Sequence, residues 1–471
     1  MSNFTINPTL NINRVFMLNK SQLEKRLDPQ FYIPELVNLE QKVLAKHPKR
    51  LRDYVVGISS GATPKRDKED EYYSTLENGI PFLRVQNITE FGLDLSDVKF
   101  INKETHDSLL KRSQVFEDNL LVTITGRIAS AAVAPPSFEG NINQHSVVIK
   151  TKNVCTSKML AAYLNCSIGQ ILANRRTTGG TRPALDYTAL LSIPIIEDKR
   201  ILAITSKAVE QKQRNEAEAD KLLSSIDDYL LGELGIKLPE PPENTLKSRM
   251  FTTSIKTISG NRFDAYFHQN KFINNLEAIS KGKYPVKQLR EILSDNLTKG
   301  TLPKQEDKDG ECSVVQISSI TVNGTISLND LLTAKNIFSN QQKLKLGDVL
   351  IVITGATIGK VAFWDYDGDY YLGGDIVKFQ TDLTSDNAFV FSLLRCSLMQ
   401  TEIKRNITGA TNGHLSPENI LQLPIPVPPL AKQKEIAKHI SSIRQRAQQL
   451  KDKTAQALKK ANEEIEKILL C

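Results

Sequence analysis

Val122-Thr123-Ile124-Thr125-Gly126 comes back, slightly altered, as Ile351-Val352-Ile353-Thr354-Gly355. Each is a β-branched, apolar run closed by glycine, the pattern of a buried strand entering a turn. Other pairs appear on both sides of this one. Arg26-Leu27-Asp28-Pro29-Gln30-Phe31 returns as Arg262-Phe263-Asp264-Ala265-Tyr266-Phe267, and Gly61-Ala62-Thr63-Pro64-Lys65 as Gly300-Thr301-Leu302-Pro303-Lys304. Further on, Thr178-Gly179-Gly180-Thr181 returns as Thr408-Gly409-Ala410-Thr411, and Leu191-Ser192-Ile193-Pro194-Ile195 as Leu421-Gln422-Leu423-Pro424-Ile425. The order is kept and the offset stays at about 230 to 240 residues. Solenoid repeats are roughly 20–50 residues long, so this is a whole domain present twice. A chain with two related domains suits an object with two related parts, such as DNA with two half-sites.

The 471 residues are enough for roughly two to four domains, each with a full core. The net charge of +8 and pI near 9.0 mildly favour a polyanionic partner. Five scattered cysteines, an odd number without metal-ligand spacing, argue against a disulfide framework and for a reducing cytoplasm. The polar start of the chain has no apolar signal core, and no apolar run reaches the roughly 18–20 residues of a membrane span. A cytoplasmic protein is expected.

The spacing of elements predicts an α+β chain. Residues 1–25 form an arm and 26–197 a first mixed α/β domain, with strands around Leu120–Ile124 and Ser146–Ile149 and helices over 158–172. From Asp198 to Leu231 glycine and proline vanish, which reads as one long helix; with the linker to residue 245 it separates the copies. The second copy spans 246–429, and a second long helix spans 430–471. Seam positions Ile201, Ala208, Leu222 and Ile226 on the first helix, and Ile436, Ile440, Ile443 and Leu450 on the second, recur at three- and four-residue steps. A helix of about 34 residues is about 50 Å long. The two helices can therefore lie antiparallel as a coiled-coil spacer, although each could instead pack on its own domain.

Catalytic motifs fail in turn. Thr354-Gly355-Ala356-Thr357-Ile358-Gly359-Lys360-Val361 is one residue short for a phosphate loop and lacks its Ser or Thr. Val133-Ala134-Pro135-Pro136 has the double proline of an adenine methyltransferase loop without its Asp or Asn. The six histidines form no zinc motif, and no acidic pair followed by lysine suggests a metal nuclease. No catalytic residue and no metal site is expected. A self-contained DNA methyltransferase or nuclease, or a coiled-coil adaptor binding only protein, is the alternative.

Binding chemistry remains. Loops of the first copy offer Lys65, Arg66, Arg84, Gln86, Asn87, Arg127, Asn143, Gln144, His145, Arg175, Arg176 and Arg182. Those of the second offer Lys299, Lys304, Gln316, Ser318, Ser319, Lys360, Lys404, Arg405, Asn412 and His414. Arg forks onto guanine, Asn and Gln onto adenine, and Lys and Arg neutralise phosphates. The apolar skeletons match while these loops differ. Asn141-Ile142-Asn143-Gln144-His145 stands where the second copy has Tyr371-Leu372-Gly373-Gly374-Asp375, and Arg182-Pro183-Ala184 where it has Asn412-Gly413-His414. One scaffold with two different reading heads predicts double-stranded DNA with a bipartite, asymmetric target.

These residues resemble the specificity subunit of type I restriction–modification enzymes. The resemblance is carried by Ser60-Gly61-Ala62-Thr63-Pro64, Gly79-Ile80-Pro81-Phe82-Leu83 and Lys345-Leu346-Gly347-Asp348-Val349-Leu350-Ile351. It continues through the Thr354–Lys360 turn and Gly409-Ala410-Thr411-Asn412-Gly413-His414-Leu415-Ser416. Leu423-Pro424-Ile425-Pro426-Val427-Pro428-Pro429 and Gln433-Lys434-Glu435-Ile436-Ala437 complete it. The first copy departs from the pattern at Arg127-Ile128-Ala129-Ser130, without the second glycine, and at Ile195-Ile196, without the double proline. The resemblance implies two target-recognition domains, each reading half of a split site, with the helices as spacer and docking region. It further implies two methyltransferase subunits holding S-adenosylmethionine and two restriction–translocase subunits using ATP and Mg. This chain would bind no cofactor and catalyse nothing. A specificity subunit of a different DNA-defence system is the nearest alternative.

Overall fold

The computed structural model describes residues 10–24, 26–65, 69–240, 245, 250–258, 262–409 and 413–470. By contacts the chain divides into two compact units, Met1–Glu216 with Lys451–Cys471, and Ala217–Leu450.

The first unit starts with helix α1 (Pro34–Leu44), where proline tolerates the first turn because its missing N–H would be unpaired there anyway. Strands β1 (Val55–Ser60), β2 (Ile80–Leu83), β3 (Leu120–Thr123), β4 (Ala131–Val133), β5 (Glu139–Ile142) and β6 (Ser146–Thr151) follow. They build an antiparallel sheet in the order β4-β3-β6-β1. A second, five-stranded sheet pairs β2 parallel to β5, with Asn141 opposite Phe82 and Ile142 opposite Leu83. Every residue of β3 is buried, because both faces of its sheet are covered. Leu120 and Val122 pack with helix α2 (Val154–Asn165) and helix α3 (Ser167–Arg175), whereas Leu121 packs with Leu83, Ile142 and Val148. The helical stretch expected over 158–172 is thus two helices, broken at Cys166, whose backbone is extended and whose Sγ accepts from Gly169 N.

Helix α4 (Lys199–Leu234) begins in this unit and ends in the other. Its terminator is Gly235, in the left-handed region at φ +64°, with Ile236 N bonded back to Leu231 O at 2.9 Å.

The second unit repeats the plan. Helix α5 (Asn270–Ser280) precedes strands β7 (Thr298–Lys299), β8 (Lys308–Val315), β9 (Val349–Val352), β10 (Val361–Phe363), β11 (Tyr370–Leu372) and β12 (Ile376–Phe379). The sheet order is β7-β12-β9-β10, matching β1-β6-β3-β4 element for element. β8 and β11 pair in parallel as β2 and β5 do. Helices α6 (Asn387–Arg395) and α7 (Ser397–Arg405) break at Cys396, as α2 and α3 break at Cys166. Helix α8 (Leu430–Leu470) closes the chain. No helix among the described residues is long and apolar enough to cross a membrane.

Within each unit α4 and α8 run antiparallel. In the first, Ile201 is buried with Ile465 and Leu469, and Asn215 Nδ2 donates to Thr454 Oγ1 at 3.0 Å. That bond satisfies the polar middle of the seam, where a buried unpaired amide would be costly. In the second, Ala219 packs on Ala447 and Leu450, Tyr229 on His439, and Glu233 pairs with Lys432 at 2.7 Å. The seam residues Ile201, Ala208, Ile226, Ile436, Ile440 and Leu450 are buried inside their own units, with Leu222 and Ile443 half-buried. Fully burying one such Ile or Leu contributes about 1.5–3 kcal/mol before entropy is counted. The six buried side chains stabilise the chain itself and, already covered, offer no docking area to a partner subunit.

Candidate nucleic-acid interface

Five loops meet at one end of the main sheet in each unit. In the first, β3 leaves the core at Ile124, and Gly126 (φ +76°) starts a turn that Ala129 N closes on Thr123 O at 2.9 Å. The segment Thr178–Ala184 is pinned beside it. Thr178 and Ala184 exchange both backbone hydrogen bonds at 2.8 Å, and Leu185 N donates to Ile124 O at 2.8 Å. The loop between β5 and β6 is the third: Asn143 N donates to Leu83 O, and Ile124 N donates to His145 O at 2.9 Å. The fourth follows β1. Gly61 approaches so closely that a Cβ there would lie 2.0 Å from Asn143 O, which is why glycine occupies it. The fifth follows β2, where Val85 lies against Gly126.

Polar side chains are strung across these loops. Thr63 Oγ1 donates to Gln144 Oε1, Gln144 Nε2 meets His145 Nε2 at 3.3 Å, and His145 Nδ1 meets Thr125 Oγ1 at 2.6 Å. Lys65, Gln86, Arg127, Gln144 and Arg182 are exposed and His145 is half-buried. Among the described residues Arg127 and Arg182 have no acidic partner, so both cations are free for an anion. Arg84 and Gln86 are already engaged with Asp97, at 3.1 and 2.6 Å.

The second unit reproduces the backbone bonds with other side chains. Gly373 N donates to Val315 O, Ile353 N to Asp375 O and Leu415 N to Ile353 O, each at 2.9 Å. Thr408 and His414 exchange bonds at 2.8 and 2.7 Å. A Cβ on Gly300 would lie 1.9 Å from Gly373 O. His414 therefore stands where the first unit has Ala184, Asp375 where it has His145, and Ala356 where it has Arg127. Lys299, Lys304, Ser318 and Lys404 are exposed, Gln316 half-buried. A polar groove of about 540 Å³ beside Lys299 is lined by Asn296, Gln342, Lys345 and Gln380.

Several expected contacts turn inward. Arg175 and Arg176 are 6% exposed and both pair with Glu40 on α1. Burial lowers both guanidinium pKa values, that of Arg176 to about 10. Arg405 donates its Nε to Phe267 O and lies 3.6 Å from Glu402. Asn87 and Ser319 are buried and hold the loops that follow: Asn87 Nδ2 donates to Asp94 O and Asp97 O, and Ser319 Oγ to Asp330 O. Asn143 is buried as well, and Lys360 donates its ammonium to Ile320 O at 2.8 Å. These seven residues are tied up within the protein. For Arg175, Arg176 and Arg405 the sequence does not reveal partners more than a hundred residues away. Arg66 and Asn412 lie outside the described residues.

The inward residues form one device used twice. In the first unit, Arg26 pairs with Asp28 at 2.7 Å and donates to Arg176 O and Thr177 O. The guanidiniums of Arg26 and Arg175 both lie on Phe31, at 4.6 and 4.0 Å. In the second, Arg262 pairs with Asp264 at 2.7 Å and donates to Arg405 O and Ile407 O. There Phe267 carries Arg262 and Arg405 at 5.0 and 4.0 Å. The duplicated Arg-x-Asp-x-x-Phe is thus a clasp that fixes the backbone just before the Thr178–Ala184 and Thr408–His414 segments. The repeat marked both clasps, but their role needed the fold.

Among the described residues no group of three or more His, Cys, Asp or Glu side chains could hold a metal ion.

Residues 281–460 match the type I restriction modification DNA specificity domain. Over 156 residues it is 24% identical to the type I restriction enzyme EcoKI specificity subunit of Escherichia coli (strain K12). That match takes in 31% of this chain, and the chain spans about a third (33%) of the length of that curated relative. Among solved structures, the type I restriction–modification system S subunit from M. genitalium is 14% identical, with 90% of this chain and 94% of that one covered and a TM-score of 0.44. The HsdS subunit from Thermoanaerobacter tengcongensis is 13% identical, with 90% and 94% covered and a TM-score of 0.31.

Proposed function

We propose that this chain is the DNA-recognition subunit of a type I restriction–modification complex, each head reading one half of a bipartite, asymmetric site. One observation carries this reading. The two heads keep the same backbone bonds around five loops while the exposed side chains on those loops differ. A palindrome would call for two identical heads. Free cations at Arg127 and Arg182 suit phosphates or guanine edges, and His414 and Asp375 give the second head a different donor and acceptor pattern.

In this reading α4 and α8 space the heads, and the outer faces of the helices carry two methyltransferase subunits. Those subunits bind S-adenosylmethionine and methylate adenine in each half-site. Two restriction–translocase subunits with ATP and Mg complete the cytoplasmic assembly, and the chain itself holds no cofactor and catalyses nothing.

Long-read mapping of N6-methyladenine in host DNA, with and without this gene, tests the reading. Deletion should erase one motif made of two unlike halves and a fixed gap. A methylome that keeps every motif in a host whose methyltransferase subunit is active would contradict it.

A further inference from the structure

Both heads grip their Thr-Gly turn in the same way, from outside the turn. Gln170, on α3, donates one side-chain amide hydrogen to Ala129 O at 3.1 Å and the other to Leu164 O at 2.8 Å. Gln400, on α7, donates to Gly359 O at 3.0 Å and to Leu394 O at 2.8 Å. Ala129 and Gly359 are the left-handed residues, at φ +56° and +83°, that send the chain back into β4 and β10. The amide therefore ties the sharpest point of each turn to the end of the preceding helix.

The same short helices end on the clasps. Arg175 closes α3 and donates its Nε to Phe31 O at 2.8 Å; Arg405 closes α7 and does the same to Phe267 O at 3.0 Å. Each helix thus fixes one reading loop near its start and the next reading loop at its end. Base-edge contacts demand placement to about 0.5 Å, whereas phosphate contacts are sequence-independent and mainly set affinity.

We propose that Gln170 and Gln400 are positioning residues for sequence discrimination, each locking the Thr-Gly turn of its own head in register with the loop that follows the clasp. This rests on the DNA-recognition reading above and names what sets the register inside each head. Neither glutamine touches DNA in this account.

The test uses the full chain assembled with its methyltransferase subunits. A preferred site is first selected from randomised duplexes with the unaltered chain. Affinities for that site and its single-base variants are then measured across a salt series. Gln170→Met keeps the volume and removes both donors. It should lower discrimination tenfold or more in one half of the site, leaving the other half and the salt slope unchanged. Gln400→Met should do the converse. Gln170→Glu and Gln400→Glu, isosteric and without amide hydrogens, repeat the test should the methionine variants fail to assemble. In the free chain, backbone amide exchange over 123–130 should quicken in the Gln170 variants alone, and over 352–360 in the Gln400 variants alone. Loss of discrimination in both halves from one substitution would overturn the proposal, as would faster exchange with discrimination intact. If the unaltered chain prefers no duplex, the DNA-recognition reading itself fails and the proposal with it. If the unaltered chain discriminates and all four variants do so equally well, only the positioning role fails.

Discussion

The two heads agree where backbone must be held and disagree where side chains are free. Gly61 and Gly300 make the same close approach, Gln170 and Gln400 the same double donation, and Arg26-Asp28-Phe31 and Arg262-Asp264-Phe267 the same clasp. At the loop tips Arg127 corresponds to Ala356, His145 to Asp375 and Ala184 to His414. An internal duplication thereby separates holding positions from reading positions without any other sequence. The heads also differ inside. Glu40 reaches Arg175 and Arg176 from α1, while in the second head the acid is Glu402, one turn before Arg405 on α7 and bonded to Asn275 Nδ2 at 2.7 Å.

That internal difference gives the largest expected effect. Glu40→Gln leaves two guanidiniums buried without an anion and should destabilise the first head by about 3–5 kcal/mol. Glu402→Gln should behave otherwise. Burial holds the Glu402 carboxyl above its ordinary value of 4.5, against the opposing pull of Asn275 and Arg405. A raised carboxyl stabilises the fold fully below pH 4.5 and loses that contribution as pH rises through the folded value. Glu402→Gln should therefore be the more stable chain at neutral pH, and that advantage over the native chain should shrink on acidification. Chemical denaturation of both variants across pH checks this; equal losses at pH 7 would break the comparison.

Gly61→Ala and Gly300→Ala should each loosen only the head that carries them, by about 1–3 kcal/mol or more, since the added carbon meets backbone that cannot yield cheaply. Hydrogen exchange resolved by head is the measurement. A native exchange pattern in either variant would contradict the close approach.

Arg182→Ala should weaken recognition of one half-site by about 1–3 kcal/mol if the guanidinium forks onto a base, and should leave the other half untouched. His414→Ala should act on the opposite half. Equal weakening of both halves by Arg182→Ala would remove the two-headed division.

The smallest effect is expected at Ala129, a non-glycine residue at φ +56° where the second head has Gly359. Ala129→Gly relieves about 1 kcal/mol of left-handed strain and gives up a buried methyl of similar worth, so melting should barely move. Gly359→Ala adds strain and a carbon 2.7 Å from Ile403 Cγ2, so it should destabilise clearly. Similar shifts for both would erase this contrast.

Much of this was legible in the sequence. The two matching strands, the loops that correspond across the repeat, and the long helix over 198–231, found at Lys199–Leu234, follow from apolar periodicity and the placement of glycine. The missing second glycine at Ala129 was visible, but not that alanine would keep the left-handed turn. The break at Cys396 carries no glycine or proline signal, and the one at Cys166 only Gly169, three residues on, where a Cβ would meet Tyr163 O. Arg175, Arg176 and Arg405 read as surface cations, because the groups that bury them come from α1, from Phe31 and from Phe267, remote in sequence. Asn87 and Ser319 read as base readers because an amide or hydroxyl in a loop looks the same whether it points outward or braces the next turn. Nor did the pattern show that each long helix would contribute half its length to each compact unit, since both halves have the same period.

The central claim, that one scaffold carries two independent readers, is tested most directly by exchanging readers within a head. His145→Asp and Arg127→Ala together give the first head side chains found in the second. The N6-methyladenine map of a host carrying that double variant should show a motif altered in one half, with the other half and the gap between them preserved. A motif altered in both halves, or in its gap, would contradict the account.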